Sequence, residues 1–340
     1  MTAIHQSKIR RIGVAALVLY VAASIVGGVG LGEIALRPGR RPIPSKEVNR
    51  LQSEVQRINA QLEDVSIAGA DGSILRGWFV QPQSGNGSAV ILLHGVSDNR
   101  LGVLGYGKWL LRNGYSVLLP DARAHGLSGG ELATYGLKES EDIHRWVSWL
   151  EEVHHPGCVF GFGESMGAGQ ILQALSKEGR FCAVVAESPF ESFREVSYAR
   201  FGRPFHTGPW LGRTFFWPTD EVGFLYVHLR YGLNMDLASP KMAVARSSVP
   251  VFLIQGTSDR NIPSYNSQDI ATTNPTRILL WLVPDAIHCG ARAVAPEEFD
   301  RRILAWFADH GKRQLVESGG TRSWSRVYAS FAQQPNPFDP

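Results

Sequence analysis

The chain is poor in cysteine, with three residues in 340, Cys158, Cys182 and Cys289, and no C-x-x-C pair. That excludes a zinc knuckle and a thioredoxin-like motif, and three is too few and too odd a number for a disulfide framework. Charge of one sign is also lacking: 34 Lys plus Arg stand against 31 Asp plus Glu, a formal net charge of +3. The surface therefore has no basic footprint for nucleic acid, and no nucleic-acid partner is expected. No segment repeats, and neither G-x-G-x-x-G nor G-x-x-x-x-G-K-[ST] occurs, which removes the two common phosphate-cradling loops. What remains is a chain that is 44% hydrophobic, with 36 Gly and 19 Pro. It is long enough for one large domain or two ordinary ones, and too apolar to be disordered.

Two local biases hide inside those averages, and the first lies at the N-terminus. After a basic tail, residues 1–11 with Lys8, Arg10 and Arg11, no charged residue occurs from Ile12 to Gly32. At about 1.5 Å per residue a helix of roughly twenty residues matches a ~30 Å hydrocarbon core. Residues 12–34 are thus expected to form a single transmembrane anchor that makes the membrane a partner. The competing reading is a signal sequence, cleaved at Gly28 and Gly30 as a small-x-small site to leave a secreted body. Gly27, Gly28, Gly30 and Gly32 are expected to weaken the last turns of such a helix. Lys8, Arg10 and Arg11 are answered across the span by Arg37, Arg40, Arg41, Lys46 and Arg50, so the positive-inside rule does not fix the orientation. The short three-cation tail favours an outward-facing body. Residues 35–62 are expected to be a linker: 37–44, with three Arg and three Pro, as a stiff polar stretch, and 47–62 as a short amphipathic helix or a strand lead-in.

Beyond residue 62 the pattern is one of alternation. Short apolar runs rich in β-branched residues at 74–80, 89–93, 116–120, 158–162, 183–186, 251–255 and 278–283 predict buried strands. Helical periodicity falls between or after them at 103–112, 137–153, 166–177 and 296–309. In the second of these, Ile143, Trp146, Val147 and Leu150 share a face behind an acidic first turn. Such alternation predicts an α/β fold with a mainly parallel sheet covered by helices on both faces. Ligands then sit beyond the carboxyl ends of the strands.

The residues that follow the strands carry chemistry. Gly163-Glu164-Ser165-Met166-Gly167 is G-x-S-x-G between a strand and a helix, the context of a nucleophile elbow. Small residues at Gly163 and Gly167 leave room for a tight, strained turn. A serine hydroxyl needs a base, and the base an orienting acid. His288 follows the 278–283 strand and Asp259 follows the 251–255 strand, in the chain order Ser, Asp, His expected of this architecture. The oxyanion needs two donors. Met166 offers its N–H as the residue after the nucleophile. At Leu92-Leu93-His94-Gly95-Val96, Gly95 lets the chain turn so that the Val96 N–H points inward, with His94 organising the loop.

These residues together resemble the α/β-hydrolases, and among them the serine-aminopeptidase-like and monoacylglycerol-lipase-like branch. The resemblance covers about residues 66–310. It rests on His94-Gly95, on Asp121-Ala122-Arg123-Ala124-His125-Gly126-Leu127-Ser128, similar to D-x-R-G-H-G-x-S, on the Ser165 elbow, and on the Asp259 and His288 segments. It implies an α/β-hydrolase fold over residues 63–310. It also implies Ser165 as nucleophile, His288 as base, Asp259 as orienting acid, and a structural role for His125. Ala124 departs from the usual glycine, which bears on loop conformation rather than chemistry.

The second bias is aromatic. Twelve of the chain's aromatics (16 Phe, 9 Trp and 9 Tyr in all) fall between Phe190 and Tyr231. They lie between two predicted strands, where relatives by resemblance carry a lid, so residues about 190–245 are expected to be a lid insertion roofing the site. The alternative is a helical insertion whose aromatics merely pack on the body. His154-His155 reads as a helix end, Cys289 as packing, Asn86-Gly87-Ser88 as a turn, and residues 311–340 as a poorly ordered tail. The expected function is a serine hydrolase acting on an ester, thioester or amide through an acyl-enzyme, anchored at a membrane, with a small-molecule or lipid-like acyl substrate and no metal or organic cofactor. An aminopeptidase-type peptidase or an acyltransferase would use the same triad, and a non-catalytic binding protein would use only the groove.

Overall fold

Alternating apolar side chains on the parallel strands supply two cores, one on each face of a single sheet. On β3 (Ser88–Leu93), Val90 and Leu92 face one side and Ala89, Ile91 and Leu93 the other, all buried. The computed structural model describes residues 3–317. Its eight strands run in the order β1-β2-β4-β3-β5-β6-β7-β8. Besides β3 these are β1 (Ala60–Ala68), β2 (Ile74–Pro82), β4 (Ser116–Pro120), β5 (Cys158–Glu164), β6 (Phe181–Glu187), β7 (Val251–Gly256) and β8 (Ile278–Val283). β1/β2 and β2/β4 pair antiparallel and every other neighbouring pair is parallel. The carboxyl ends of β3, β5, β6, β7 and β8 therefore share one edge.

Helices α2 (Ser45–Arg57), α3 (Leu104–Arg112) and α12 (Pro296–Glu317) cover one face, with short α11 (Ala291–Val294) beside them. α4 (Glu139–Val153), α5 (Met166–Ala174) and α10 (Tyr265–Thr273) cover the other. Between β6 and β7 the chain leaves the sheet for a helical insertion, α6 (Phe193–Gly202), α7 (Trp210–Arg213), α8 (Trp217–Tyr231) and α9 (Pro240–Val244). α1 (Ala3–Leu36) precedes the body, and over Ser7–Leu36 it is long and apolar enough to cross a membrane.

The structure corrects or refines the expectations at four points. β1 is an eighth strand that no apolar run announces, because it is an outer strand with mostly exposed side chains and gains its order from backbone pairing with β2. Residues 45–57 form the short amphipathic helix expected within the 35–62 linker, but its Leu51 and Val55 stripe is buried in the core, so this part belongs to the body. Even the polar stretch before it is strapped down, since the Arg40 guanidinium donates to the carbonyls of Ser128 and Gly130 at 2.5 and 2.8 Å. The N-terminal glycines, expected to weaken the last turns, lie within a helix that runs unbroken to Leu36. At Gly28 a Cβ would lie 2.5 Å from the Thr219 carbonyl oxygen, so glycine there serves the close approach of α8. Finally, Cys158 and Cys182 form a disulfide across neighbouring strands β5 and β6, with Cα atoms 6.0 Å apart. Sequence spacing carries no information about that adjacency. Of the tail expected at 311–340, residues 311–317 continue α12, and 318–340 lie outside the described residues.

Candidate active site

The turn from β5 into α5 forces the geometry of Ser165. Its backbone sits at φ +52°, ψ −114°, a conformation costing on the order of 1–3 kcal/mol for a non-glycine residue. The surroundings hold it there: the Ser165 N–H donates to the Glu187 carbonyl at 2.9 Å. Neighbouring glycines are required by contact. A Cβ at Gly163 would fall 2.4 Å from the Gly167 oxygen, and one at Gly167 would fall 2.3 Å from the Leu93 oxygen.

Three side chains from three strand ends meet at this turn. His288 Nε2 lies 2.9 Å from Ser165 Oγ, and His288 Nδ1 lies 2.7 Å from Asp259 Oδ2. Asp259 Oδ1 accepts the N–H groups of Asn261 and Ile262 at 2.8 and 2.9 Å. Its Oδ2 also accepts the Gln255 side-chain amide at 3.1 Å, and Gln255 is held in turn by the Ser267 hydroxyl. Burial pushes the Asp259 carboxyl up, but the bonds from His288, Ile262 and Asn261 outweigh it and hold the group below its ordinary range. The carboxylate stays charged, which fixes the imidazole with Nδ1–H toward Asp259 and Nε2 free to accept from Ser165.

The loop after β3 is organised by two buried histidines. His94 Nε2 accepts the Ala122 N–H at 3.1 Å, so its Nδ1–H donates to the Gly95 carbonyl at 2.8 Å. With that carbonyl engaged, the Gly95–Val96 peptide turns its N–H the other way. Val96 and Met166 both line the cavity at Ser165. His125 Nε2 accepts the Ser97 N–H at 3.2 Å, which pins the loop at a second point. Burial lowers both imidazoles, His94 to about 4, so at neutral pH they are uncharged scaffold groups and not bases. The segment around them is likewise structural: Asp121 takes the Arg100 guanidinium at 2.7 Å and Arg123 is bidentate to Asp142. Ala124, where relatives by resemblance have glycine, has φ +60°.

Behind Ser165 lies an acidic pair to which the sequence pattern gave no role. Glu187, at the end of β6, accepts the Ala291 N–H at 3.0 Å and the Tyr106 hydroxyl at 3.2 Å. Burial, reinforced by the charge of Glu187, lifts Glu164 to about 8; burial foremost lifts Glu187 to about 7. The same burial raises the Cys289 thiol well above its ordinary range, which leaves it neutral beside His288. The rule that found Asp259, looking just past each strand end, would have found Glu187 too. Because these folded-state values lie above the ordinary 4.5, the folded protein keeps protons that the unfolded chain releases. Their stabilising contribution is complete below about pH 4.5 and is lost as pH rises through 7 to 8. Glu187→Gln is therefore expected to raise stability at pH 8 by up to about 3 kcal/mol and to change little at pH 4.5. Thermal melts at the two pH values test this, and equal effects at both would contradict it.

Above Ser165, His288 and Asp259 is a cavity of about 410 Å³. Of the twelve clustered aromatics, Phe190, Phe193, Phe201 and Phe224 line it, whereas Phe205, Trp210, Phe215 and Trp217 are at least half exposed. Ser197, Arg200, Thr219 and Asp220 are its polar residues on the insertion, and burial lifts Asp220 to about 6. The cavity also takes in Leu31, Gly32, Ile34, Ala35 and Leu36 at the end of α1, and Pro38 just beyond it, which no sequence signal marks as part of the site. Among the described residues no three His, Cys, Asp or Glu side chains are grouped to hold a metal ion.

The fold that carries these residues has relatives among known proteins. The family model described as "Alpha/beta hydrolase family" matches residues 90–302. The uncharacterized protein YqkD of Bacillus subtilis is 32% identical over 203 residues, 58% of this chain and 63% of YqkD, so the chain covers less than two thirds of that relative. The uncharacterized protein MT2364 of Mycobacterium tuberculosis is 27% identical over 91% of this chain and 96% of its own length. Among solved structures, the Pyrococcus furiosus esterase Pf2001 superposes with a TM-score of 0.62 at 26% identity, covering 81% of this chain and 98% of the esterase.

Proposed function

The chain belongs to the alpha/beta hydrolase family, and we propose that it is a membrane-anchored serine hydrolase that cleaves carboxylic esters through an acyl-enzyme. One observation carries the reading: an unbroken hydrogen-bond chain from Asp259 through His288 to a serine held at a strained turn. Ser165 Oγ attacks the carbonyl carbon while His288 Nε2 takes its proton, and the Asp259 carboxylate stabilises the imidazolium. The Val96 and Met166 N–H groups receive the oxyanion, an interaction of about 3 kcal/mol per donor in comparable sites. His288 then protonates the leaving alcohol, and water, activated by the same histidine, releases the acyl group.

An ester substrate is favoured by the likeness to an esterase and by the largely apolar cavity, which accommodates an acyl chain. The helical insertion acts as its lid. The anchor reading is supported by α1, whose most apolar window is only 11% buried, too little for the core helix of a soluble domain. The Cys158–Cys182 disulfide supports a catalytic body on the oxidising side of the membrane, in keeping with a short basic tail that stays inside. Full-length protein in detergent, offered p-nitrophenyl esters from acetyl to palmitoyl beside aminoacyl-arylamides, tests the reading. Ester turnover that exceeds arylamide turnover at least tenfold is expected; the reverse preference would mean a peptidase.

A further inference from the structure

The anchor helix does more than precede the body. Leu31, Gly32, Ile34, Ala35, Leu36 and Pro38 line the same cavity as Ser165 and Met166. Leu31 and Ile34 are at the same time exposed on the outside, so the cavity reaches the surface at residues of the apolar span itself. This end of α1 is locked to the body. The Tyr135 hydroxyl donates to the Ala35 carbonyl at 2.8 Å, the Ala133 N–H to the Leu36 carbonyl at 2.9 Å, and the Tyr226 hydroxyl to Glu33 at 2.5 Å. A plain tether would need none of these contacts.

Helix length then fixes what surrounds this end. Crossing a ~30 Å hydrocarbon core takes about twenty residues, and the charge-free stretch runs from Ile12 to Gly32. Docking to the insertion begins as early as Tyr20, whose hydroxyl donates to the Phe215 carbonyl at 2.5 Å and whose ring packs on the Phe215 ring. The part ahead of it, residues 12–19, rises only about 12 Å. The docked stretch from Tyr20 to Gly32 must therefore lie in hydrocarbon, with Glu33 at its boundary, and the insertion surface beside it must span the same depth up to that boundary. The chemistry of that insertion fits: Trp210, Phe215, Trp217, Leu225 and Leu229 are all at least half exposed, and tryptophan favours the membrane–water boundary.

We infer that α1 is a wall of the substrate cavity and that substrate enters from within the bilayer, past Leu31 and Ile34. The substrate is then a bilayer-resident acyl ester whose chain lies along the anchor helix. This rests on the serine-hydrolase reading above and adds to it the route and the substrate class.

The test uses the full-length protein in phosphatidylcholine vesicles, with 4-methylumbelliferyl palmitate and butyrate as substrates. Ile34→Trp narrows the entrance at an exposed position where a larger side chain does not disturb folding, and Ala35→Phe fills the wall. The ratio of kcat/KM for palmitate over butyrate is expected to fall at least tenfold in both variants. A ratio that falls less than tenfold in both overturns the inference. Fluorophosphonate labelling of the wild type in the same vesicles, with Ser165→Ala as control, separates the two levels. Absent labelling overturns the hydrolase reading itself, whereas labelling with an unmoved ratio overturns only the role of α1.

Discussion

Ser165→Ala is expected to lower kcat for ester substrates by roughly 10⁴- to 10⁶-fold, as loss of the nucleophile does in serine hydrolases that use such a triad. The substitution removes one oxygen and leaves the backbone as it was, because alanine meets the same φ of +52° as serine. KM should change little, since the walls of the cavity are untouched. The residual rate would come from the remaining N–H donors and from binding alone. Steady-state kinetics with a p-nitrophenyl ester measure this. A loss of tenfold or less would mean that another group attacks the carbonyl. The neighbouring thiol of Cys289 is a poor substitute, since burial keeps it protonated.

Asp259→Asn is expected to cost about 10⁴-fold in kcat, nearly as much, although the residue never touches substrate. Asp259 Oδ2 now accepts from His288 Nδ1–H and from the Gln255 amide. With its NH2 group at the Oδ2 position an asparagine faces the Gln255 amide donor and selects the tautomer with Nε2–H pointing at Ser165, which cannot take the serine proton. With its oxygen there instead, its NH2 group faces the N–H donors of Asn261 and Ile262, and no charge is left to stabilise the imidazolium. The same conflict leaves a buried polar group unpaired, a stability cost of about 1–3 kcal/mol. The kinetic effect is distinguishable from the structural one by Gln255→Ala, which removes a support of Asp259 without changing the charge. That variant should lose far less activity than Asp259→Asn. Equal losses would mean that the carboxylate only holds the loop in place.

Those features of the site that depend on local sterics were legible in the sequence. The G-x-S-x-G turn can form only with glycine at 163 and 167, because backbone oxygens occupy the space where a Cβ would stand. Asp259 and His288 could be picked out because parallel strands deliver their successors to one edge. What could not be read depends on adjacency. β1 has no apolar run of its own and exists by pairing with β2. Cys158 and Cys182 meet because β5 and β6 are neighbours, and a sequence separation of 24 residues does not announce it. The glycines of α1 look, along the chain, like weak points of a helix. Against α8, Gly28 and Gly32 are what allows contact, and the helix so placed brings Leu31, Ile34, Ala35 and Leu36 to the cavity. Glu164 and Glu187 escaped for another reason: their burial, not their spacing, makes them unusual.

The most direct measurement is the site of covalent modification. Full-length wild-type protein is treated with a fluorophosphonate, digested, and the modified peptide sequenced by mass spectrometry. The account predicts one adduct, on Ser165, that fails to form in Ser165→Ala and forms far more slowly in Asp259→Asn. A folded wild type that takes no label, or takes it on any residue other than Ser165, would contradict it.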